Sequence, residues 1–346
     1  MTDVPTPSRA PGDRTSTVWG AFVDGWRRVA SAPALLAGVF AVSLALGLPL
    51  AAVLHGMIAA HLGPSLAAET AVSGVNWDWW QEFSSQATGI GTTFSPSVIG
   101  FAVVLQNLSD LLDNRPLATV MAGAVGAWLV IWSLLAGGIL DRYARNRRTG
   151  PHGFFAACGA HFFRLLRLGA LALVAYALLF RYLHPALFDR LVPWLTWSST
   201  VERNVFALRV VFYLLFGLLL VLVNVLVDYA RVRLVVEDRH SAVGALAAAG
   251  RFVLRHPRHV AGLYALNATV FLAVIAVYAL VAPGAAGAGW AVLVGELYIA
   301  ARLAVKLQFY ASQTALFQGH LAHAGYAARP AVAWPESPAA EIIRQP

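Results

Sequence analysis

Cysteine, lysine and charge are all scarce in this chain of 346 residues. A single cysteine, Cys158, excludes an intrachain disulfide and a cysteine-built zinc cluster. Charged residues make up 12%, about half the roughly 25% of a soluble domain, while 59% of residues are hydrophobic. That balance excludes intrinsic disorder and fits an ordinary soluble enzyme poorly; the natural solvent of such a chain is lipid. Catalytic signatures are missing too: there is no Walker loop, no G-x-S-x-G, no H-E-x-x-H and no dinucleotide fingerprint, so neither catalytic residues nor a cofactor are expected. Lys306 is the one lysine, and arginine supplies the rest of the positive charge, as in the proteins of GC-rich bacterial genomes. A net charge of +8 would suggest nucleic acid in a soluble protein. Here the arginines stand beside apolar spans, so no nucleic-acid partner is expected.

A helix crosses the roughly 30 Å of bilayer hydrocarbon in about 20 residues. Six stretches reach that length, at about 34–58, 116–140, 165–184, 205–228, 259–282 and 290–316. The first is too long for a signal h-region and is expected to be retained, with a bend at Pro49. Orientation follows from the arginines, because positive residues near short loops stay cytoplasmic. The connection 141–168 holds six arginines against Asp141, and the connection 228–259 holds six against three acids. The segment 59–115 has five acids against Arg115. Both termini should therefore face the cytoplasm of a bacterial inner membrane, with 59–115 outside. Residues 1–16 and 329–346 read as disordered tails around one membrane domain, 17–328.

Three stretches that precede inward-to-outward spans resemble one another: Ala21–Gly38, Phe154–Ala172 and Gly244–Gly262. Each places small residues ahead of an aromatic and an arginine pair, as an amphipathic helix in the cytoplasmic interface would. Arg27, Arg28, Arg164, Arg167, Arg251, Arg255 and Arg258 are the expected contacts to the phosphates of an anionic inner leaflet. The expected fold is all-α: six membrane helices as three hairpins, each preceded by an interfacial helix.

The run Asp228–Val235, the acids Glu237 and Asp238, and then Ser241–Phe252 resemble a class of six-helix bacterial membrane proteins. In that class the fourth span runs into a charged turn and a helix of the pattern A-L-x-x-S/A-x-x-F/W. It includes the membrane domain fused to some glycerophosphodiester phosphodiesterases. The resemblance covers most of the chain from the second span onward and implies a six-helix membrane fold. In the fused members the catalytic domain is a separate soluble barrel after the membrane part. The residues beyond span six, closing in Arg329–Pro346, hold no such barrel, so hydrolase activity is not expected.

In the outer segment, Trp77, Trp79 and Trp80 read as an aromatic belt at headgroup level, with a carbohydrate or headgroup platform as the sharper alternative. Ser95-Pro96-Ser97 marks a helix start, and helical spacing from Phe101 to Leu112 predicts a helix over 97–113 on the outer face.

Ionisable groups at membrane depth are costly unless paired, so each is a functional candidate. The candidate network is Arg209, Asn224 and Asp228 in span four with Glu296, Arg302 and Lys306 in span six. At about 1.5 Å per residue, Arg209 and Glu296 lie at similar depth from the outer side and should pair. Lys306 and Asp228 approach the inner surface together and form a second candidate pair. Arg302, near mid-depth, has only carbonyls, Asn267 or water in prospect. The network reads either as bridges fixing helix register or as a polar pathway. His256 with His259, and His320 with His323, form pairs at i, i+3 near the cytoplasmic boundary, without a local carboxylate or cysteine; no metal site is expected from them. Two functions follow: a non-catalytic scaffold or accessory protein that binds anionic lipid or a membrane-protein partner, or a small transporter with a pathway along spans four and six.

Overall fold

The structure, a computed structural model, describes residues 17–73, 76–95, 108–115, 119–199, 201–281 and 288–321. Among these, every regular element is helical and no strand occurs. The order is α1 (Val18–Ala30), α2 (Pro33–Leu62), α3 (Ala67–Ser73), α4 (Trp77–Gln86), α5 (Thr119–Arg145), α6 (Pro151–Leu178), α7 (Val192–Thr196), α8 (Glu202–Val236), α9 (Ala242–Arg255), α10 (Pro257–Val281) and α11 (Ala288–Leu321). The tails, residues 97–107 of the expected outer helix, and His323 lie outside the described residues; residues 108–112 are helical.

Among the described residues, five helical stretches are long and apolar enough to cross a membrane: Pro33–Leu62, Ala122–Arg145, Pro151–Thr196, Glu202–Val236 and Pro257–Val281. Large apolar side chains stand on their outer surfaces, among them Leu48, Phe206, Leu214, Leu218, Leu272 and Leu280. So much contiguous apolar surface is untenable in water and ordinary in lipid. The protein is a multi-pass, all-α membrane protein. The sixth expected span lies within α11, which is long enough but carries Glu296, Arg302 and Lys306 along its middle.

Proline decides how the three amphipathic stretches fold. In the first, Thr17 caps α1 by accepting the Gly20 amide at 3.1 Å, the helix stops at Ser31, and Pro33 starts α2. In the third, Ser241 accepts the Gly244 amide at 3.1 Å, α9 stops at His256, and Pro257 starts α10. Proline costs nothing in a first turn, where its missing N–H has no partner to lose. The second stretch has no proline between Pro151 and Pro185, so no separate interfacial helix forms there. Residues 154–172 belong to α6, and the span predicted to begin at 165 begins at Pro151. Beyond Leu178 the same helix widens into π turns at Leu179–Leu183 and Ala186–Leu191, with Pro185 between them. The wider turn accommodates a residue that has no N–H and whose ring would strike the carbonyl four residues back.

The best-buried part of the bundle surrounds the last turns of α11, where Gln308, Ser312, Gln313 and Thr314 are fully enclosed. Three neighbouring helices meet this seam with a polar group. Gln308 Nε2 donates to the Phe22 carbonyl of α1 at 2.9 Å, Asn267 Nδ2 of α10 donates to Ser312 Oγ at 2.9 Å, and Gln318 Nε2 donates to the Ala144 carbonyl of α5 at 2.8 Å. Contact is closest at Gly25: a Cβ there would lie 2.8 Å from Gln308 Oε1 and 2.9 Å from the Ser312 Cα. Because backbone cannot yield as a side-chain tip can, Gly25→Ala is expected to cost about 1–3 kcal/mol. A lowered thermal midpoint of the detergent-solubilised protein would register it, and an unchanged midpoint would refute the contact.

Outside the bundle, Trp79 and Phe83 of α4 are buried and stack at 5.4 Å between ring centroids, with His61 from the end of α2 edge-on to both. Trp80 Nε1 donates to the Phe94 carbonyl at 3.2 Å, and Trp77 is exposed. The tryptophan cluster is in part a small core that caps α2, which removes Trp79 and Trp80 from any flat binding platform.

Candidate functional site

A cavity of about 600 Å³ lies among five helices. Three stripes of side chains with helical spacing face it. On α8, Asn224, Asp228 and Arg231 recur at steps of four and three; on α11, Arg302, Lys306 and Tyr310 recur at steps of four; on α5, Trp128 and Trp132 are four apart. Tyr176 of α6 and Tyr264 and Phe271 of α10 complete the wall. The site is therefore cationic and aromatic.

Its charges are not matched one to one. Asp228 is buried and its Oδ1 accepts from Arg231 at 2.8 Å, while Oδ2 accepts from Gln313 Nε2 at 3.4 Å. Arg231 also reaches the Tyr310 hydroxyl at 3.4 Å, which in turn accepts from Trp132 Nε1 at 2.7 Å. Asp228 is thus consumed by a neighbour on its own helix. Lys306 does not reach it; its Nζ stands 3.6 Å from the Trp132 ring centroid and 5.7 Å from that of Trp128. Arg302 lies over Tyr298 at 5.4 Å and Phe271 at 5.9 Å. Lys306 is half-buried and Arg302 exposed, and ring faces attract a cation but leave its charge uncancelled. Among the described residues, neither Lys306 nor Arg302 has a carboxylate within ion-pairing distance.

A second cavity, of about 390 Å³, shares Tyr176, Asn224 and Tyr264 with the first and is otherwise apolar, walled by Leu111, Phe180, Leu220 and Val221. Where the two meet, Asn224 Nδ2 donates to the Tyr264 hydroxyl.

No protein-family model, curated protein or solved structure matches the chain. The functional reading therefore rests on this geometry.

Of the six residues expected to form an intramembrane network, Asn224, Asp228, Arg302 and Lys306 share the cavity and Arg209 and Glu296 do not. Arg209 is exposed beside Glu202, Ser199 and Phe206, and makes no ion pair with Glu296. Glu296 Oε2 is buried without a hydrogen-bond partner. Depth arithmetic sets two groups at one level but not at one azimuth, which is why both expected pairs fail. The cavity adds Arg231, Tyr310, Trp128 and Trp132, which the expected network does not contain. With span four ending at 228, Arg231 falls among the loop charges, whereas α8 runs eight residues further. The signal was present in the four-residue spacings of Trp128/Trp132 and Arg302/Lys306/Tyr310.

The arginines assigned to lipid phosphates divide. Arg27, Arg167, Arg251, Arg255 and Arg258 are exposed and free to meet headgroups. Arg28 is not: it is buried, with Nε on Asp24 at 2.7 Å and a terminal nitrogen donating to the Tyr143 carbonyl at 2.7 Å and Gln318 Oε1 at 2.8 Å. Arg164 is half-buried and pairs with Asp238, which occupies the turn after α8 in a left-handed conformation at φ 48°. Partial burial opposes ionisation of Asp238, but the Arg164 hydrogen bond and charge, helped by His161 and His240, hold its carboxyl below the usual range. That tie is present at neutral pH and lost as acid protonates Asp238 below its unfolded value of about 4.

Proposed function

We propose that this protein is a non-enzymatic membrane carrier or accessory subunit that holds an anionic amphiphile inside its bundle. The anionic head sits among Arg302, Lys306 and Arg231, and the apolar body lies along the aromatic wall and into the second cavity. The observation that carries this reading is the placement of Lys306 and Arg302 on a cavity wall where, among the described residues, no carboxylate lies within ion-pairing distance of either. Lys306, half-buried and held only by rings, gains most from an incoming anion, and the exposed Arg302 one turn away adds to the attraction. The second cavity, apolar but for three polar residues, suits a hydrocarbon portion better than a hydrated ion. Leu111 of that cavity belongs to the acidic segment 59–115, and Asp228 and Arg231 lie toward the arginine-rich connections. The two cavities thus follow one another along α8 from the outer side inward, which favours passage over static binding.

In this reading α11 is the sixth span, so both termini are cytoplasmic in a bacterial inner membrane. The excess of arginine in the connections α5–α6 and α8–α9 supports that orientation. The exposed Arg251, Arg255 and Arg258, with Leu254 at 81% exposure between them, support contact between the α9–α10 joint and anionic headgroups.

The test uses the full chain in a neutral detergent, dodecyl phosphate as the anionic probe and dodecyl maltoside as its neutral counterpart. Tryptophan emission should change saturably with dodecyl phosphate, since Trp128 and Trp132 line the site. Lys306→Gln and Arg302→Gln should each weaken the apparent affinity about tenfold, near 1.4 kcal/mol. Equal responses to the two amphiphiles, or unchanged affinity in both variants, would refute the proposal.

A further inference from the structure

The sequence offers two histidine pairs, His256 with His259 and His320 with His323, and neither is a metal site by itself. The fold makes a different set. His256 closes α9, His259 sits in the first turn of α10, and His320 lies in the last turn of α11. One ring nitrogen from each comes within 4.8 Å of the other two. The His256 and His320 ring centroids are 4.2 Å apart, and His259 and His320 are 5.2 Å apart. We propose that His256, His259 and His320 form a three-imidazole site for a divalent transition-metal ion of the zinc type, with one coordination position left open, which clamps the end of α11 to the α9–α10 joint.

Several features prepare the rings for this role. His320 Nδ1 lies 2.9 Å from the Leu316 carbonyl, an arrangement that places the proton on Nδ1 and leaves Nε2 bare. Phe252 packs against His256 at 5.1 Å and His320 at 5.8 Å, and is itself wedged on Tyr229 and Phe317 at 5.2 Å each. The rings thus stand on a rigid aromatic floor. All three histidines are half-buried, open enough for an ion to enter. Zinc–imidazole bonds of about 2.0–2.1 Å require ligand nitrogens about 3.4 Å apart in a tetrahedron, so closure needs side-chain movement of roughly an ångström. Imidazole suits zinc, copper and nickel, and rules out a hard, oxygen-seeking cation. With no carboxylate among the ligands the ion keeps its full charge, so water or an anion takes the open position.

The experiment uses the full-length protein in detergent, freed of any histidine tag, dialysed against buffered Zn²⁺ at about 1 μM free metal. One zinc per chain is expected. His259→Gln and His320→Gln should each lower affinity at least tenfold, while His240→Gln, an exposed histidine outside the cluster, should leave it unchanged. Hydrogen exchange over residues 316–321 should slow on adding zinc to the wild type and not to the His259→Gln protein, a response adventitious binding would not give. All the variants lie at the surface end of the bundle, and gel filtration reports whether each remains monodisperse. No retained zinc, or equal retention by wild type and both cluster variants, would overturn the proposal.

Discussion

Asp228→Asn should lower the stability of the folded protein by about 3 kcal/mol and at the same time tighten its hold on an anionic probe. The two effects have one cause. Among the described residues Asp228 is the only carboxylate on the cavity wall, and it neutralises Arg231 at 2.8 Å. Removing its charge leaves a guanidinium facing a low-dielectric interior with the Tyr310 hydroxyl as its remaining side-chain partner. Removing one partner of a buried pair costs about 3–5 kcal/mol, and the low end applies here because 24% of the Arg231 side chain stays exposed. Among the described residues the cavity wall then carries three cations and no anion, so dodecyl phosphate should bind more tightly to the variant that folds less well. Replacing both residues, Asp228→Asn with Arg231→Met, should recover most of the thermal midpoint and lose the gain in affinity. A variant that lost stability and probe binding together would mean that Asp228 shapes the cavity instead of balancing its charge.

That opposition could not be read from the sequence, which located the charges but not their partners. Long apolar runs define helices almost unaided, because a bilayer leaves the backbone few other ways to satisfy its hydrogen bonds. The expected stretches at 34–58, 205–228 and 259–282 accordingly fall on α2, α8 and α10, with α8 extending eight residues beyond its expected end. Interruptions were legible only where a residue enforces them. Pro33 and Pro257 separate a short helix from the span that follows, and the second copy, lacking such a proline, stays continuous with α6. Pairing was the least legible feature. An acid on a helix meets a cation three or four residues away before it meets one on another helix, so Asp228 takes Arg231 and Arg28 takes Asp24. The cross-helix pairs expected for Lys306 and Arg209 required knowing which way each helix is rotated, which no depth argument supplies. The histidines show the same limit: His259 and His320 are distant in sequence and adjacent only through the packing of α10 on α11.

Arg28 carries the second large effect. Arg27 and Arg28 are adjacent and of one charge, but a helix turns about 100° between them, so Arg27 faces out and Arg28 faces the bundle. There Arg28 joins three elements, bonding Asp24 of its own helix, the Tyr143 carbonyl of α5 and Gln318 of α11. Arg28→Leu strands those acceptors in a site where the arginine is 7% exposed, and should cost about 3–5 kcal/mol. Arg28→Lys should recover less than half of that, because an ammonium is a point charge and cannot span acceptors set out for a planar fork. The loss should be local: hydrogen exchange should accelerate through Val18–Ala30 while Ala242–Arg255 stays protected, since none of the partners of Arg28 lies on α9. Arg27→Leu serves as the control and should leave exchange in both helices unchanged. Were Arg28 turned outward like its neighbour, the two leucine variants would behave alike in detergent. Divergence between them therefore separates a helix held in the bundle by a buried guanidinium from one that merely rests on the membrane.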